Sequence, residues 1–231
     1  MVKIVGLQKL TLIDFPDKLG AVVFLAGCNF RCGFCHNPEI VVSKPDLEII
    51  SEQDFFHFLK IRQGLLEGIV ISGGEPLIYQ KLPDFLMKIK ALGYLVKLDT
   101  NGAEFQKLKK ILALKLVDYI AMDIKGSKES YSQITNKNIN FRNIKKSIKL
   151  IMNSGLDYEF RTTVLPKFHN LAEIKKIAKM IKGAKKYYLQ NFRNQHTLDP
   201  EFRWEKCFTK IELEKLKQLA AQYVQVCEIR N

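Results

Sequence analysis

The sequence predicts an α/β fold: a partial (β/α)6 TIM-like barrel of parallel strands with a short N-terminal extension. Apolar runs of strand length alternate with amphipathic stretches of helix length, and that alternation marks parallel βα units. About six such units fit between Gly20 and Asn231, fewer than the eight of a closed barrel. The 231 residues contain no Pro/Gly/Ser-rich linker and no short repeat, which suits a single domain over 1–231. The expected layout is an extension over 1–19, core βα units over 20–191, and a C-terminal loop, helix and strand over 192–231.

In chain order, Ala21–Ala26 reads as a buried strand, followed by Gly68–Ser72, Leu95–Asp99, Val117–Met122, Tyr158–Leu165, Lys186–Gln190 and a last run, Val224–Ile229. Helical stretches lie between them. Ser51 stands where a cap would open one. Phe141, Ile144, Ile148 and Ile151 share a face at spacings of three and four. So do Leu171, Ile174, Ile177 and Ile181, and Leu213, Leu216, Leu219 and Tyr223.

Composition narrows the function. Apolar residues are 47% and charged residues 26%, which excludes disordered and fibrous classes. The apolar run Ala21–Ala26 is far short of the ~20 residues a spanning helix needs, so no membrane partner is expected. The first residues carry Lys3, Lys9, Asp14 and Asp17 and lack the apolar core of a signal peptide. The expected location is cytoplasmic. A net charge of +13 raises the question of a nucleic-acid partner. However, Lys145, Lys146 and Lys149, like Lys175, Lys176, Lys179 and Lys182, fall mainly opposite the apolar stripes. They read as solvated faces first and a docking surface second, and no stacking aromatics or nucleic-acid module accompany them. Of five cysteines, three sit within eight residues, which points to metal or redox chemistry rather than a disulfide framework.

In parallel α/β folds function sits at the carboxyl ends of strands. After the first expected strand comes Gly27-Cys28-Asn29-Phe30-Arg31-Cys32-Gly33-Phe34-Cys35-His36-Asn37-Pro38. Three thiolates in this Cys-x3-Cys-x2-Cys loop can hold three corners of a cubane iron–sulfur cluster and leave the fourth iron open. Zinc competes, although structural zinc usually takes four ligands in paired spacings. Inert packing of three cysteines suits a Gly-containing loop poorly. After the second strand, Gly73-Gly74-Glu75-Pro76 lets backbone approach a ligand closely. It is neither a P-loop nor a dinucleotide fingerprint. Asp99-Thr100-Asn101-Gly102, Met122-Asp123-Ile124-Lys125 and Arg161 mark the next strand ends. Glu75, Asp99, Asp123, Lys125 and Arg161 on one mouth would suit a zwitterionic ligand.

At these residues the sequence resembles the radical S-adenosylmethionine (SAM) superfamily, on Cys28-x3-Cys32-x-Phe34-Cys35 and Gly73-Gly74-Glu75-Pro76. More narrowly, Gly6-Leu7-Gln8-Lys9, Leu12-Ile13-Asp14-Phe15-Pro16 and His36-Asn37-Pro38-Glu39 resemble the activating enzymes of glycyl radical enzymes, and most of all the anaerobic ribonucleoside-triphosphate reductase activating proteins. Asp99–Gly102 and Met122–Lys125 also resemble the pyruvate formate-lyase activating enzyme. No ferredoxin-like cysteine insert follows the first motif. The resemblance implies a [4Fe–4S] cluster on Cys28, Cys32 and Cys35, its open iron binding SAM. It implies reductive cleavage of SAM to methionine and a 5′-deoxyadenosyl radical, which takes hydrogen from a glycine of a partner enzyme. It further implies a flavodoxin- or ferredoxin-type reductant. SAM contacts would come from Phe34, Gly73, Gly74, Glu75, Asp99, Asn101, Asp123, Lys125 and Arg161. A monovalent cation would lie near Asp99 and Asp123. A histidine that contacts SAM in some relatives has no counterpart in Tyr188–Arg193, where Gln190 or Arg193 could substitute.

The remaining candidates read as structural. His36 is either a tuner of the cluster or a packed histidine. His57 reads as surface, and His169 and His196 as loop residues. Cys207 and Cys227 read as buried thiols. The irregular stretch Asn194–Cys207, with Arg203 and Trp204, is either a partner-binding lid or an ordinary loop. The competing functions are a radical SAM enzyme acting on a small molecule such as a deazapurine precursor, a tRNA-modifying radical enzyme, and a non-enzymatic cluster or zinc protein.

Overall fold

The computed structural model describes residues 1–42 and 47–230. Among them are eight strands: β1 (Ile4–Thr11), β2 (Gly20–Leu25), β3 (Gly68–Gly73), β4 (Leu95–Thr100), β5 (Tyr119–Asp123), β6 (Asp157–Val164), β7 (Lys186–Asn191) and β8 (Val226–Arg230). Their order in the sheet is their order in the chain. The helices are α1 (Pro38–Val42), α2 (Glu52–Ile61), α3 (Leu82–Ala91), α4 (Phe105–Ala113), α5 (Tyr131–Thr135), α6 (Phe141–Met152), α7 (Leu171–Met180) and α8 (Lys210–Ala221). Two compact units are distinguished. One comprises Met1–Asn29, Glu39–Thr100 and Glu104–Ile120; the other comprises Phe30–Pro38, Asn101–Ala103 and Ala121–Asn231.

In the first unit β2 pairs in parallel with β3, and β3 with β4. Parallel strands are covered on both faces and therefore read as unbroken apolar runs. Accordingly Ala21, Val23, Leu25, Ile69, Ile71, Val96 and Leu98 are all fully buried. Ser51 caps α2 as expected, accepting a 3.0 Å bond from Asp54 N. One buried charged side chain breaks the apolar runs of these strands. Lys97, in the middle of β4, donates through Nζ to Asp14 O at 2.5 Å and lies 5.1 Å from the centre of the Tyr119 ring. Its ammonium thus gains a carbonyl and a π-face in place of water.

In the second unit β6, β7 and β8 pair in parallel. Tyr187 donates to Thr162 Oγ1 at 2.8 Å. Arg230 closes a two-pronged pair with the buried Glu159 at 2.8 and 3.1 Å. Ile144, Ile148 and Ile151 of α6 and Ile174 and Ile177 of α7 are buried, and the lysines of both helices stand exposed. Leu171, expected on the apolar face, is half-exposed instead, because it opens the first turn of α7 beside the Asn170 cap.

All seven expected strands fall on β2–β8 within two residues, up to Arg230; residues 43–46 and 231 lie outside the described part. The sequence reading gives the extension over 1–19 no element of its own. Most of that extension is a strand, β1, antiparallel to β2 and interrupted twice in its register. Those irregularities blur the alternation by which an edge strand is recognised. The short helices α1 and α5 have no counterpart among the expected elements.

Lys97→Ala should cost the apoprotein roughly 2–4 kcal/mol in urea unfolding, since it leaves a cavity and removes a partner of Asp14 O. Lys97→Met keeps most of the volume and should cost clearly less.

Candidate active site

In the first unit the end of β2 and the turn after β3 are locked together through their backbones. Gly73, paired with Leu25, has φ +113°, and a Cβ there would lie 2.4 Å from Leu25 N and O. At Gly74 a Cβ would lie 1.8 Å from Gly27 O. No other residue type fits without moving one of the two strands. The contact is bonded as well as close: Gly74 N donates to Leu25 O at 2.9 Å and Glu75 N to Gly27 O at 2.8 Å. The next residue after Gly27 is Cys28, so the glycine turn lies against the backbone that delivers the first cysteine.

Glu75 is buried, and its carboxylate accepts from Leu77 N at 3.1 Å and Thr100 Oγ1 at 2.8 Å. It caps the short turn Pro76–Ile78 and ties it to the end of β4. Asp99 accepts from Ser72 Oγ at 3.0 Å. Tyr79 donates to Ala26 O at 2.8 Å. Among the expected site residues, Cys28, Gly73, Gly74, Glu75 and Asp99 therefore belong to this unit. Ser72, Tyr79 and Thr100 support them, and none of the three was among the expected site residues, because hydroxyls near strand ends carry no distinctive spacing.

The second unit holds Cys32, Phe34, Cys35, Asn101, Asp123, Lys125 and Arg161. Cys35 N donates to Cys32 O at 3.0 Å, closing a tight turn between the two thiols. Cys32 is buried and Cys35 half-buried. The Phe34 ring is buried among Phe168, Phe192 and Phe202, with centroids 6.2–6.4 Å away. A ring engaged in this way leaves any adenine contact at position 34 to the backbone. Asn101 Oδ1 accepts from Ala103 N at 3.0 Å and shapes the turn after β4.

Asp123, at the end of β5, accepts from Arg161 Nε at 2.9 Å and pairs with Lys125 Nζ at 3.1 Å. Burial works against its charged form, but the guanidinium and the ammonium outweigh burial and hold the carboxyl down at about 2. Burial also works against the Lys125 ammonium. Asp123 overcomes that, and the lysine stays charged well above its ordinary range. Burial pushes the Cys32 thiol up to about 11, with Lys125 pulling the other way. His169 lies in a loop, as expected, and is buried there. Its Nε2 meets Lys125 O at 3.0 Å and its Nδ1 accepts from Leu165 N at 3.3 Å, so it braces the backbone at Lys125. His36 is exposed, with Nε2 2.7 Å from Arg193 O and its ring stacked on Phe192. His57 is exposed, as expected.

The donor set, three cysteines on one short stretch of chain, fits an iron–sulfur cluster. Among the described residues no three His, Cys, Asp or Glu side chains close around a single point. A cubane spreads its three thiolates over three irons and needs no such convergence. A thiol as desolvated as Cys32 stays protonated at neutral pH unless a metal centre takes the thiolate.

The profile of the Radical SAM superfamily matches residues 22–181. The chain belongs to this superfamily. A putative glycyl-radical enzyme activating enzyme of Methanocaldococcus jannaschii is 32% identical over 98% of this chain and 95% of its own length. The pyruvate formate-lyase-activating enzyme of Clostridium pasteurianum is 29% identical over 86% of this chain and 84% of its own. Among solved structures, Streptococcus suis SuiB bound to its precursor peptide SuiA superposes with a TM-score of 0.68 at 14% identity. The match covers 90% of this chain and 48% of SuiB, so this radical SAM chain spans about half of SuiB's length. The protein is thus a radical SAM enzyme of the activating kind, whose cofactors are a [4Fe–4S] cluster and SAM. Among the described residues no helix is long and apolar enough to cross a membrane.

The depressed Asp123 carboxyl makes a pH prediction. Its stabilising contribution is complete above the ordinary carboxylate value and is lost as pH falls toward about 2. Urea unfolding of the apoprotein should therefore lose about 2 kcal/mol from this group between pH 4 and 2. Asp123→Asn should be less stable at neutral pH and should lack this component of the acid loss. Equal acid slopes in the two proteins would contradict the assignment.

Proposed function

We propose that this radical SAM enzyme installs a glycyl radical on a partner of the anaerobic ribonucleotide reductase kind or a similar glycyl radical enzyme. The backbone lock between Gly27–Cys28 and Gly73–Gly74 carries the reading. It presents a glycine turn free of side chains beside the first cysteine, as binding the methionyl end of SAM next to a cluster requires. The near-complete length match to the archaeal activating relative supports a protein glycine over a deazapurine precursor or tRNA as substrate. The superfamily match draws on residues of both compact units, which supports reading 1–231 as one domain.

The residues are assigned as follows. Cys28, Cys32 and Cys35, on one short stretch of chain, each ligate one iron. The backbone at Gly73 and Gly74 receives the methionyl amino group, and Glu75 holds their turn. Lys125 and Arg161, already fixed by Asp123, offer charge-assisted donors to the methionyl carboxylate or the ribose hydroxyls. The backbone at Phe34 and the polar ends Asp99 and Asn101 complete the SAM contacts. A monovalent cation at Asp123 would have to displace Lys125 or Arg161, whose nitrogens sit 3.1 and 2.9 Å from its oxygens. Asp99 is the better candidate for such a contact. When bound, the cluster would pass one electron to SAM, which would part into methionine and a 5′-deoxyadenosyl radical able to take the hydrogen atom of the partner's glycine Cα as 5′-deoxyadenosine. A flavodoxin- or ferredoxin-type protein supplies the electron, and the excess positive charge of the chain, +13, suits an acidic donor.

The test is anaerobic reconstitution with iron and sulfide, chemical reduction, and addition of SAM together with a glycyl radical enzyme from the same genome. Wild type should yield one 5′-deoxyadenosine per glycyl radical detected by EPR, and Cys32→Ala should yield neither. Gly74→Ala should abolish SAM-dependent product and lower the melting temperature. A loaded cluster that cleaves SAM yet leaves every glycyl radical enzyme of that genome radical-free would overturn the choice of substrate.

A further inference from the structure

The loop that carries Cys32 and Cys35 is gripped by a segment more than 160 residues further along the chain. Leu198 N donates to Cys35 O at 3.0 Å, and Asp199 N donates to Gly33 O at 2.9 Å. Asp199 then turns the chain, its carboxylate accepting from Glu201 N at 3.0 Å to cap the short turn Pro200–Trp204. That turn drives Phe202 into the loop. Phe202 is 6% exposed and is packed on Phe34, Phe168 and Phe192 at 6.1–6.3 Å between centroids. It also fills the space over Gly33, where a Cβ would lie 2.3 Å from its Cε2 and 2.9 Å from its Cδ2. Lys167 covers the outer face of Phe202 at 4.8 Å and pairs with Glu205.

We propose that residues 198–202 form a clasp that positions the cluster loop. Leu198 and Asp199 fix the carbonyls at Cys35 and Gly33. Phe202 fixes the path between Cys32 and Cys35 by occupying the side-chain space at Gly33, and that occupancy is why position 33 carries no side chain. The clasp holds Cys32 and Cys35 preorganised, so that iron binds without first ordering the loop. The stretch 194–207 is then neither a lid nor an idle connection, because its inner edge is part of the support of the cluster. This rests on the assignment of Cys32 and Cys35 as ligands, but the clasp itself can be tested without the cluster.

The experiment compares wild type, Phe202→Ala, Gly33→Ala and the double variant Gly33→Ala/Phe202→Leu. The first readout uses apoprotein, following tryptic cleavage after Arg31 with the melting temperature as a control for global folding. Phe202→Ala and Gly33→Ala should each speed that cleavage roughly tenfold, and the double variant should return toward wild type because the smaller side chain makes room for the Cβ. The second readout uses reconstituted protein and follows release of iron to a chelator. The same variants should release iron roughly tenfold faster than wild type, with the same recovery in the double variant. Should Phe202→Ala not fold, Leu198→Pro, which removes the N–H given to Cys35 along with the leucine side chain, carries the same expectation. Wild-type cleavage and iron release in Phe202→Ala, or a double variant as impaired as Gly33→Ala, would overturn the clasp. If wild type itself takes up no cluster while the apoprotein cycle holds, the ligand assignment falls and the clasp stands.

Discussion

The chemistry of the first compact unit depends on one steric constraint: two backbones meet where neither has room for a side chain. The end of β2 and the turn after β3 approach closely enough that Gly74 would place a Cβ inside the Gly27 carbonyl. The parallel register of β2 with β3 leads directly to this approach, since it sets Gly73 opposite Leu25. Two amide donors then cross the gap, Gly74 to Leu25 and Glu75 to Gly27. A contact made of main chain alone has no rotamers to lose, so its geometry is stiff. The buried Glu75 carboxylate holds the turn from behind, through Leu77 N and Thr100 Oγ1. Cys28 inherits its backbone position from this arrangement.

In the second unit the equivalent role falls to charge. Asp123, the last residue of β5, gathers Arg161 from within β6 and Lys125 from the loop that follows β5. An isolated carboxylate in such a place would be costly, and either cation alone would leave the pair strained by burial. Together they keep all three groups ionised, with the carboxyl held at about 2. The trio carries a net positive charge close to the Cys32 thiol, whose pKa feels Lys125 directly. His169 and Thr162 extend the network into the backbone, on Lys125 O and Ile124 O.

The glycine lock and the clasp are stabilised differently. The glycine lock works by exclusion of side chains, whereas the clasp over Gly33 works by insertion of one, Phe202. In each case a glycine at a loop position records what its neighbour occupies. The cysteine loop therefore has glycines for two reasons: Gly27 has φ +82°, a conformation glycine reaches without strain, and Gly33 gives way to an aromatic ring.

The sequence by itself determined the class of fold and the chemistry. Apolar runs at Ala21–Ala26 and Gly68–Ser72 match strands because parallel strands must be apolar on both faces, a property any linear reading can register. The three cysteines and the Gly73–Pro76 turn were legible for the same reason: their meaning lies in spacing along one short stretch. Tertiary structure decided what depends on distance across the chain. The antiparallel β1 was hidden because an irregular edge strand lacks clean alternation. The burial of Lys97 and of the loop residue His169, with the partners that make it tolerable, shows only once the chain is packed. The roles of Glu75 as a brace and Asp123 as the neutraliser of two cations appear only when their partners, 25 and 38 residues away, are brought alongside. Phe202 gives no local signal at all, because its importance comes from the space beside a glycine that only the folded chain places next to it.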